Sequence, residues 1–321
     1  MARPSVLIVT PYAAQANNGN WRTAARWAGF LRDRYRVIVQ AQPRTRQLAD
    51  ADCLIALHAR RSHAAVAAWR SRFPDRPIAV VLTGTDVYRD LPGDAAAQAS
   101  LALADRLVVL QREALGALPK HHRGKTRVIH QSAGTLDPAA KARDRLDCVM
   151  VGHLREEKDP LTALRAWEHL PAAAPIRLTH IGAALDPRLG AAAREFALRE
   201  PRYRWLGEKP HGRTRQAIRG ADLLLVPSRL EGGANVIVEA LTAGTPVLAS
   251  RVSGNIGMLG RGYRGYFPVG DERALARLLL RCLGEAGLLR RLEAQCRARR
   301  ALFSPRREGA ALRSLLREML A

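Results

Sequence analysis

Short apolar runs recur along the chain, separated by longer amphipathic stretches. Runs at 5–10, 35–40, 53–57, 78–82, 106–110 and 127–130 stand between segments with apolar residues every three or four positions. Strands that read as unbroken apolar runs are buried on both faces, and their alternation with helical periodicity marks a parallel sheet covered by helices. The rhythm lapses around 135–145 into Gly, Pro, Ala and charge, then restarts with runs at 147–151, 176–180, 202–206, 222–226 and 246–249. With 321 residues, the pattern predicts two doubly wound α/β domains. They span 1–138 and 147–303, with a linker at 139–146 and a closing segment at 304–321. In that segment Ser304 and Pro305 suit the N-cap and first position of a helix, placed to pack back toward the first domain.

In open α/β sheets the ligand crevice lies beyond the carboxyl ends of the strands, so the loops that follow the runs are the candidate sites. The most informative follows the run at 223–226. Pro227 stops the strand, Gly232 and Gly233 follow, and a helical pattern continues to Gly244. Glu231 falls on the loop and Glu239 two turns into the helix. The backbone N–H groups of Gly232, Gly233, Ala234 and Asn235 are expected to be the free donors of the first helical turn, an anion site by geometry and dipole. Amides for a diphosphate beside carboxylates for hydroxyls suit a nucleotide sugar.

Four other loops are placed to converge on the same kind of crevice. Asn17-Asn18-Gly19-Asn20 precedes a helix beginning near Trp21, His58-Ala59-Arg60-Arg61-Ser62 follows the third run, Thr83-Gly84-Thr85-Asp86 the fourth, and Ser253-Gly254-Asn255 the last. Each has a plainer reading: a turn for the first and last, a helix cap with solvated arginines for 58–61, and an N-cap and turn for 83–86.

The formal charge is 52 cations less 29 anions, or +23. A surplus of this size raises nucleic acid as a partner. Only five of the 52 are lysine, and the arginines are scattered over helix faces. That scatter reads as compositional bias, with no specific nucleic-acid site; a nonspecific polyanion binder stays open as the non-enzymatic alternative. No apolar run approaches the length of a membrane span and the first run opens a strand, so a cytoplasmic protein without a membrane span is expected. Cys53, Cys148, Cys282 and Cys296 lack metal-type spacing and read as buried free thiols. Neither a metal nor a cofactor is expected.

The motif Pro227-Ser228, Glu231-Gly232, Glu239 eight positions after Glu231, then Gly244-Thr245-Pro246-Val247 resembles that of glycosyltransferase family 4, whose members have the GT-B fold of two Rossmann-like domains facing a cleft. The resemblance runs through nearly the whole chain. It implies a UDP-sugar donor, with Glu239 on the ribose hydroxyls, Glu231 on the donor sugar, and the amides of 232–235 on the diphosphate. Gly152-His153-Leu154-Arg155-Glu156-Glu157-Lys158 resembles the family's Gly-Arg-Leu…Lys stretch and puts Lys158 on the phosphates. His153 stands where the family has arginine, which passes part of that duty to Arg155. Thr85-Asp86 stands where the family has His-Asp, which hints at a different acceptor.

A narrower resemblance accounts for both departures. Asn17-Asn18-Gly19-Asn20-Trp21, His58-Ala59-Arg60-Arg61-Ser62, and the blocks at 83–90, 151–155, 180–187 and 254–260 are together similar to the selenosugar synthases of selenoneine biosynthesis. Those enzymes join selenophosphate to the sugar of a UDP-sugar, typically UDP-N-acetylglucosamine, and yield a 1-selenosugar once phosphate is lost. The resemblance implies a selenophosphate site made by Asn18, Asn20, Arg22, His58, Arg60, Arg61, Thr83, Thr85 and Asp86, with Gly19 reaching the donor. Lys158, Arg155, Glu231 and His153 would serve the reacting centre. An ordinary transferase with a hydroxyl acceptor fits Glu231 and Glu239 equally well, and a UDP-sugar epimerase or phosphorylase of similar build is a further alternative.

Overall fold

The computed structural model describes residues 3–12, 19–41, 48–137, 139, 141 and 144–321. Two compact units are present: Met1–Gln131 with Pro305–Ala321, and Ser132–Ser304.

In the first unit the order is β1 (Ser5–Thr10), α1 (Gly19–Leu31), β2 (Arg36–Ala41), β3 (Cys53–Leu57), α2 (His63–Arg72), β4 (Ile78–Leu82), α3 (Ala95–Leu103), β5 (Arg106–Val109) and β6 (Thr126–Val128). The strands form one parallel sheet in the order β2-β1-β3-β4-β5-β6. The period of two along β1 sorts its residues between two cores. Val6 and Ile8 pack with Trp27 and Leu31 of α1, whereas Leu7 and Val9 join Val66 and Trp69 of α2 and Leu101 of α3. Helices on both faces are why these strands read as unbroken apolar runs.

The second unit continues with β7 (Leu146–Val151), α4 (Pro160–Glu168), β8 (Ile176–Ile181), α5 (Pro187–Arg199), β9 (Tyr203–Trp205), α6 (His211–Gly220), β10 (Leu223–Val226), α7 (Asn235–Ala243), β11 (Val247–Ser250), α8 (Ser253–Leu259), β12 (Tyr266–Phe267), α9 (Glu272–Gly284) and α10 (Ala286–Arg299). Its sheet is also parallel, ordered β12-β11-β10-β7-β8-β9. The pattern predicted five strands here. The sixth, β12, is two residues long and too short to make an apolar run. The stretch opening at Ser253, read as a loop or turn, is the start of α8.

The last helix, α11 (Pro305–Leu320), belongs to the first unit. Leu312, Leu315 and Leu316 enter the core of Trp27 and Leu31. Its Glu308 side chain is fully buried and pairs with Arg26 Nε at 2.8 Å. The same carboxylate accepts from Arg26 Nη2 (3.1 Å) and from the Trp27 indole N–H (2.7 Å). No helix of the described residues is long and apolar enough to cross a membrane.

Candidate functional site

In the second unit the chain runs outward from β7 to β8 and β9 on one side and through β10, β11 and β12 on the other. The order reverses between β7 and β10, so the loops leaving these two strands diverge and open a crevice at their carboxyl ends. Gly152, His153 and Lys158 from one loop and Pro227, Ser228 and Glu231 from the other line a small pocket there. Arg229 ties the loops together: its amide donates to the Glu157 carbonyl at 2.9 Å, and its Nε lies 3.2 Å from Asp159 Oδ2. Asp159 itself has φ of +45°, in the left-handed region that ends the 3-10 turn Glu156–Lys158 and starts α4.

That turn aims Lys158 at Glu231. Lys158 Nζ donates to Glu231 Oε1 at 2.6 Å, and the Ser228 hydroxyl donates to the same oxygen at 2.6 Å. Glu231 is buried. Its carboxylate is therefore held by one oxygen while Oε2 has no hydrogen-bond partner among the described residues. Lys158 spends one of its three donors on the pair and keeps two. Behind Ser228, the Ser250 hydroxyl donates to its carbonyl, and Asn255 Nδ2 donates to the Ser250 carbonyl at 2.9 Å. Gly254 closes the arrangement, because a Cβ there would come within 1.9 Å of the Glu231 carbonyl oxygen. An arrangement that offers ammonium N–H groups and a fixed carboxylate oxygen side by side can bind a phosphate and a hydroxyl together.

The helix after the glycines starts later than the pattern predicts. Ala234 has an extended ψ of 108° and α7 begins at Asn235. Gly232 and Gly233 carry little helical preference, so they and Ala234 precede the helix, and Glu239 lies one turn into it instead of two. Glu239 is buried and accepts from His211 Nε2 at 2.8 Å. Arg155 is 44% exposed, its nearest carboxylate being Glu157 of its own loop at 3.9 Å. His153 Nδ1 accepts the Ala183 amide at 3.0 Å, so the residue in the family's arginine position braces the loop after β8.

His180 supports this platform from below. The Gly152 carbonyl, 3.2 Å from Nε2, can only accept, so Nε2 carries the proton and Nδ1 takes the Tyr203 hydroxyl at 2.9 Å. Burial pulls the imidazole from 6.5 down to about 4. The unfolded chain binds a proton near 6.5 that the folded unit refuses until about 4. The stabilisation is thus complete above that window and falls as pH drops through it, by roughly 3 kcal/mol at the acid end. Urea unfolding followed at pH 7, 6, 5 and 4 is expected to show this slope, and His180→Gln to flatten it.

In the first unit Gly19, Asn20 and Arg22 form the first turn of α1. Asn18 lies outside the described residues. Thr23 Oγ1 donates to the Gly19 carbonyl at 2.9 Å. The loops after β3 and β4 bring His58, Thr83, Thr85 and Asp86 together. Asp86, expected on the acceptor, is fully buried. Its oxygens accept the amides of Ala59 (3.1 Å), Thr83 (2.9 Å), Gly84 (2.7 Å) and Val87 (3.1 Å). It staples the two loops, which the plainer reading of 83–86 had in part. Arg60 and Arg61 turn to different partners: Arg60 Nε pairs with Asp94 at 2.8 Å, and Arg61 lies over the Tyr12 ring at 5.0 Å.

Sequence reasoning passed over Ser228, Asp159, Arg229 and His211 as site residues. Ser228 was within reach, since a side chain three positions before Glu231 can bond it locally; His211 lies on another helix and left no local signal. The four cysteines are buried and free, as expected. Burial raises Cys53 and Cys282 to about 12 and Cys296 to about 11.

Residues 137–299 match the family described as Glycosyl transferases group 1. Among curated proteins, the D-inositol 3-phosphate glycosyltransferase of Nocardia farcinica (strain IFM 10152) is 33% identical over 260 residues, 80% of this chain and 50% of its own length. The chain thus spans about half the length of that relative. Among solved structures, HepE of Anabaena in complex with UDP-glucose superposes with a TM-score of 0.79 at 15% identity, covering 98% of this chain and 100% of that one. Sucrose-phosphate synthase from Thermosynechococcus elongatus gives 0.79 at 17% identity, with 99% of each chain covered. Both establish the fold, which is GT-B.

Proposed function

Because the chain belongs to the glycosyl transferases group 1 family, we propose that it transfers the sugar of a UDP-sugar, UDP-N-acetylglucosamine, to selenophosphate. A selenium lone pair attacks C1 of the sugar, the C1–O bond to the diphosphate breaks, and UDP leaves with the electron pair. Water then adds to phosphorus, the P–Se bond breaks, and phosphate departs from a 1-selenosugar. An anionic selenium nucleophile needs no base to strip a proton, so the demand on the protein falls on binding and on the leaving group.

The observation that carries the donor half is the pairing of Lys158 with Glu231 where the strand order reverses. Lys158 has N–H groups to give the departing diphosphate, and Glu231 Oε2 is left to accept from a sugar hydroxyl. Glu239 supplies the ribose contact and Gly232 to Asn235 the amides; Arg155, exposed in its loop, adds charge. The acceptor half rests on the similarity of the loops at 17–21, 58–62 and 83–90 to those of selenosugar synthases.

Purified protein given UDP-N-acetylglucosamine and freshly made selenophosphate is expected to release UDP and a selenium-containing sugar, read by mass spectrometry. Glu239→Ala is expected to raise KM for the UDP-sugar roughly tenfold to a hundredfold, the worth of a hydrogen bond to a charged group. UDP release indifferent to selenophosphate, with no selenium in the sugar product, defeats the reading. A hydroxyl acceptor is the second reading, favoured by the relative named for D-inositol 3-phosphate; the same assay with sugar alcohols and their phosphates distinguishes it.

A further inference from the structure

His58 has a left-handed backbone, and both of its ring nitrogens are engaged, one of them across to the loop after β4. Its φ is +74°, in the left-handed region that few non-glycine residues occupy, His, Asn and Asp most readily among them. The ring is buried, and Nε2 stands 3.1 Å from Thr85 Oγ1. The Arg61 amide N–H points at Nδ1 from 3.4 Å, so Nδ1 is bare and the ring proton sits on Nε2, donated to Thr85.

Thr85 occupies the N-cap position of the π-helical turn Asp86–Asp90, where a threonine hydroxyl ordinarily accepts an amide. It makes no such bond: the Val87 amide goes to Asp86 Oδ1 and the Tyr88 amide to the Gly84 carbonyl. The Thr85 oxygen therefore accepts from imidazole and keeps its own proton to give. The residue is half-buried, and no other partner of this hydroxyl is found among the described residues. The imidazole itself is a poor place for an anion to land. Asp90 Oδ2, buried with no hydrogen-bond partner among the described residues, lies 3.9 Å from Nε2, and Asp86 Oδ2 lies 3.9 Å from Nδ1.

We infer that His58 is a positioning residue that holds the Thr85 hydroxyl as a hydrogen-bond donor to a phosphoryl oxygen of the acceptor, and does not touch the acceptor itself. The inference rests on the reading that the acceptor binds at the loops after β3 and β4. It converts two residues expected side by side on the ligand into a support and a contact.

A double-mutant cycle on the full-length protein tests it. Thr85→Val is expected to raise KM for selenophosphate about tenfold or more, as loss of a hydrogen bond to a charged oxygen does. KM for the UDP-sugar should hold. His58→Asn, which tolerates the left-handed backbone, should do the same, Thr85→Ser should restore the parent value, and the double variant should be no worse than Thr85→Val alone. Effects that multiply, or an equal rise in KM for the UDP-sugar, overturn the inference. Imidazole 15N NMR of the unliganded protein decides the point without turnover. An Nε2–H tautomer at His58, with shifts that move in Thr85→Val, supports the positioning; an Nδ1–H ring, or shifts that do not move, overturns it. A wild-type protein that makes no selenosugar refutes the proposed acceptor, and the NMR result still judges His58.

Discussion

Replacing Lys158 with alanine is expected to lower kcat/KM for the UDP-sugar about a hundredfold to a thousandfold, the effect of removing one preorganised donor from a developing charge. Two losses combine. The diphosphate loses an ammonium that is only partly spent on Glu231, and Glu231 Oε1 loses one of its two donors, leaving Ser228 alone to orient the carboxylate. The second loss also shows in stability, since a buried carboxylate stripped of its cation is penalised by desolvation. The melting temperature of Lys158→Ala should therefore fall as well. Pairing Lys158→Met with Glu231→Gln removes both charges and should return the melting temperature toward the parent while leaving turnover low. Near-normal turnover in Lys158→Ala would falsify the donor assignment.

Glu308→Ala is expected to cost the first unit about 3 to 5 kcal/mol, the range for breaking a buried pair from one side. The carboxylate takes three donors from α1, two from Arg26 and the indole N–H of Trp27. Trp27 is itself fully buried, so alanine strands its N–H in an apolar setting and leaves Arg26 without its partner. Calorimetry is the suitable measurement, because a chain of two units need not melt in one step. The transition of the unit holding α1 and α11 should move down while the other stays. Glu308→Gln, which can still accept from Trp27, should lose less. A calorimetric trace unchanged by Glu308→Ala would show that the apolar contacts of Leu312, Leu315 and Leu316 hold α11 by themselves.

Most of the architecture was legible from periodicity. Parallel strands covered on both faces must be apolar throughout, so β1, β3, β4 and β10 each announce themselves as runs; the two compact units divide between Gln131 and Ser132, just ahead of the lapse at 135–145. The short β12 was not legible, because two residues carry no period. The start of α7 was misplaced for a different reason. Gly232 and Gly233 permit helix and loop alike, and only the extended ψ at Ala234, set by the packing of the whole loop, decides where the helix begins.

At the site, residue types and chain order were readable: a lysine and a carboxylate on loops at the ends of core strands, and a second carboxylate on the helix that follows. Which of them meet was not. Lys158 and Glu231 are 73 residues apart and pair because β7 and β10 are neighbours in the sheet, a fact of strand order that no local pattern encodes. His58 and Thr85 meet for the same reason, on adjacent β3 and β4.

The sequence alone determined the family-like motif, the alternation that requires two parallel sheets, and the strand ends that carry the functional groups, because burial and backbone preference act over a few residues. Only the tertiary structure decided that Asp86 accepts the amides of two loops, that Glu231 is held by one oxygen with the other left to accept, and that His58 bears on Thr85. Such assignments depend on which hydrogen-bond partners compete for each buried polar atom, and that competition exists only once distant loops have been brought to the same sheet edge.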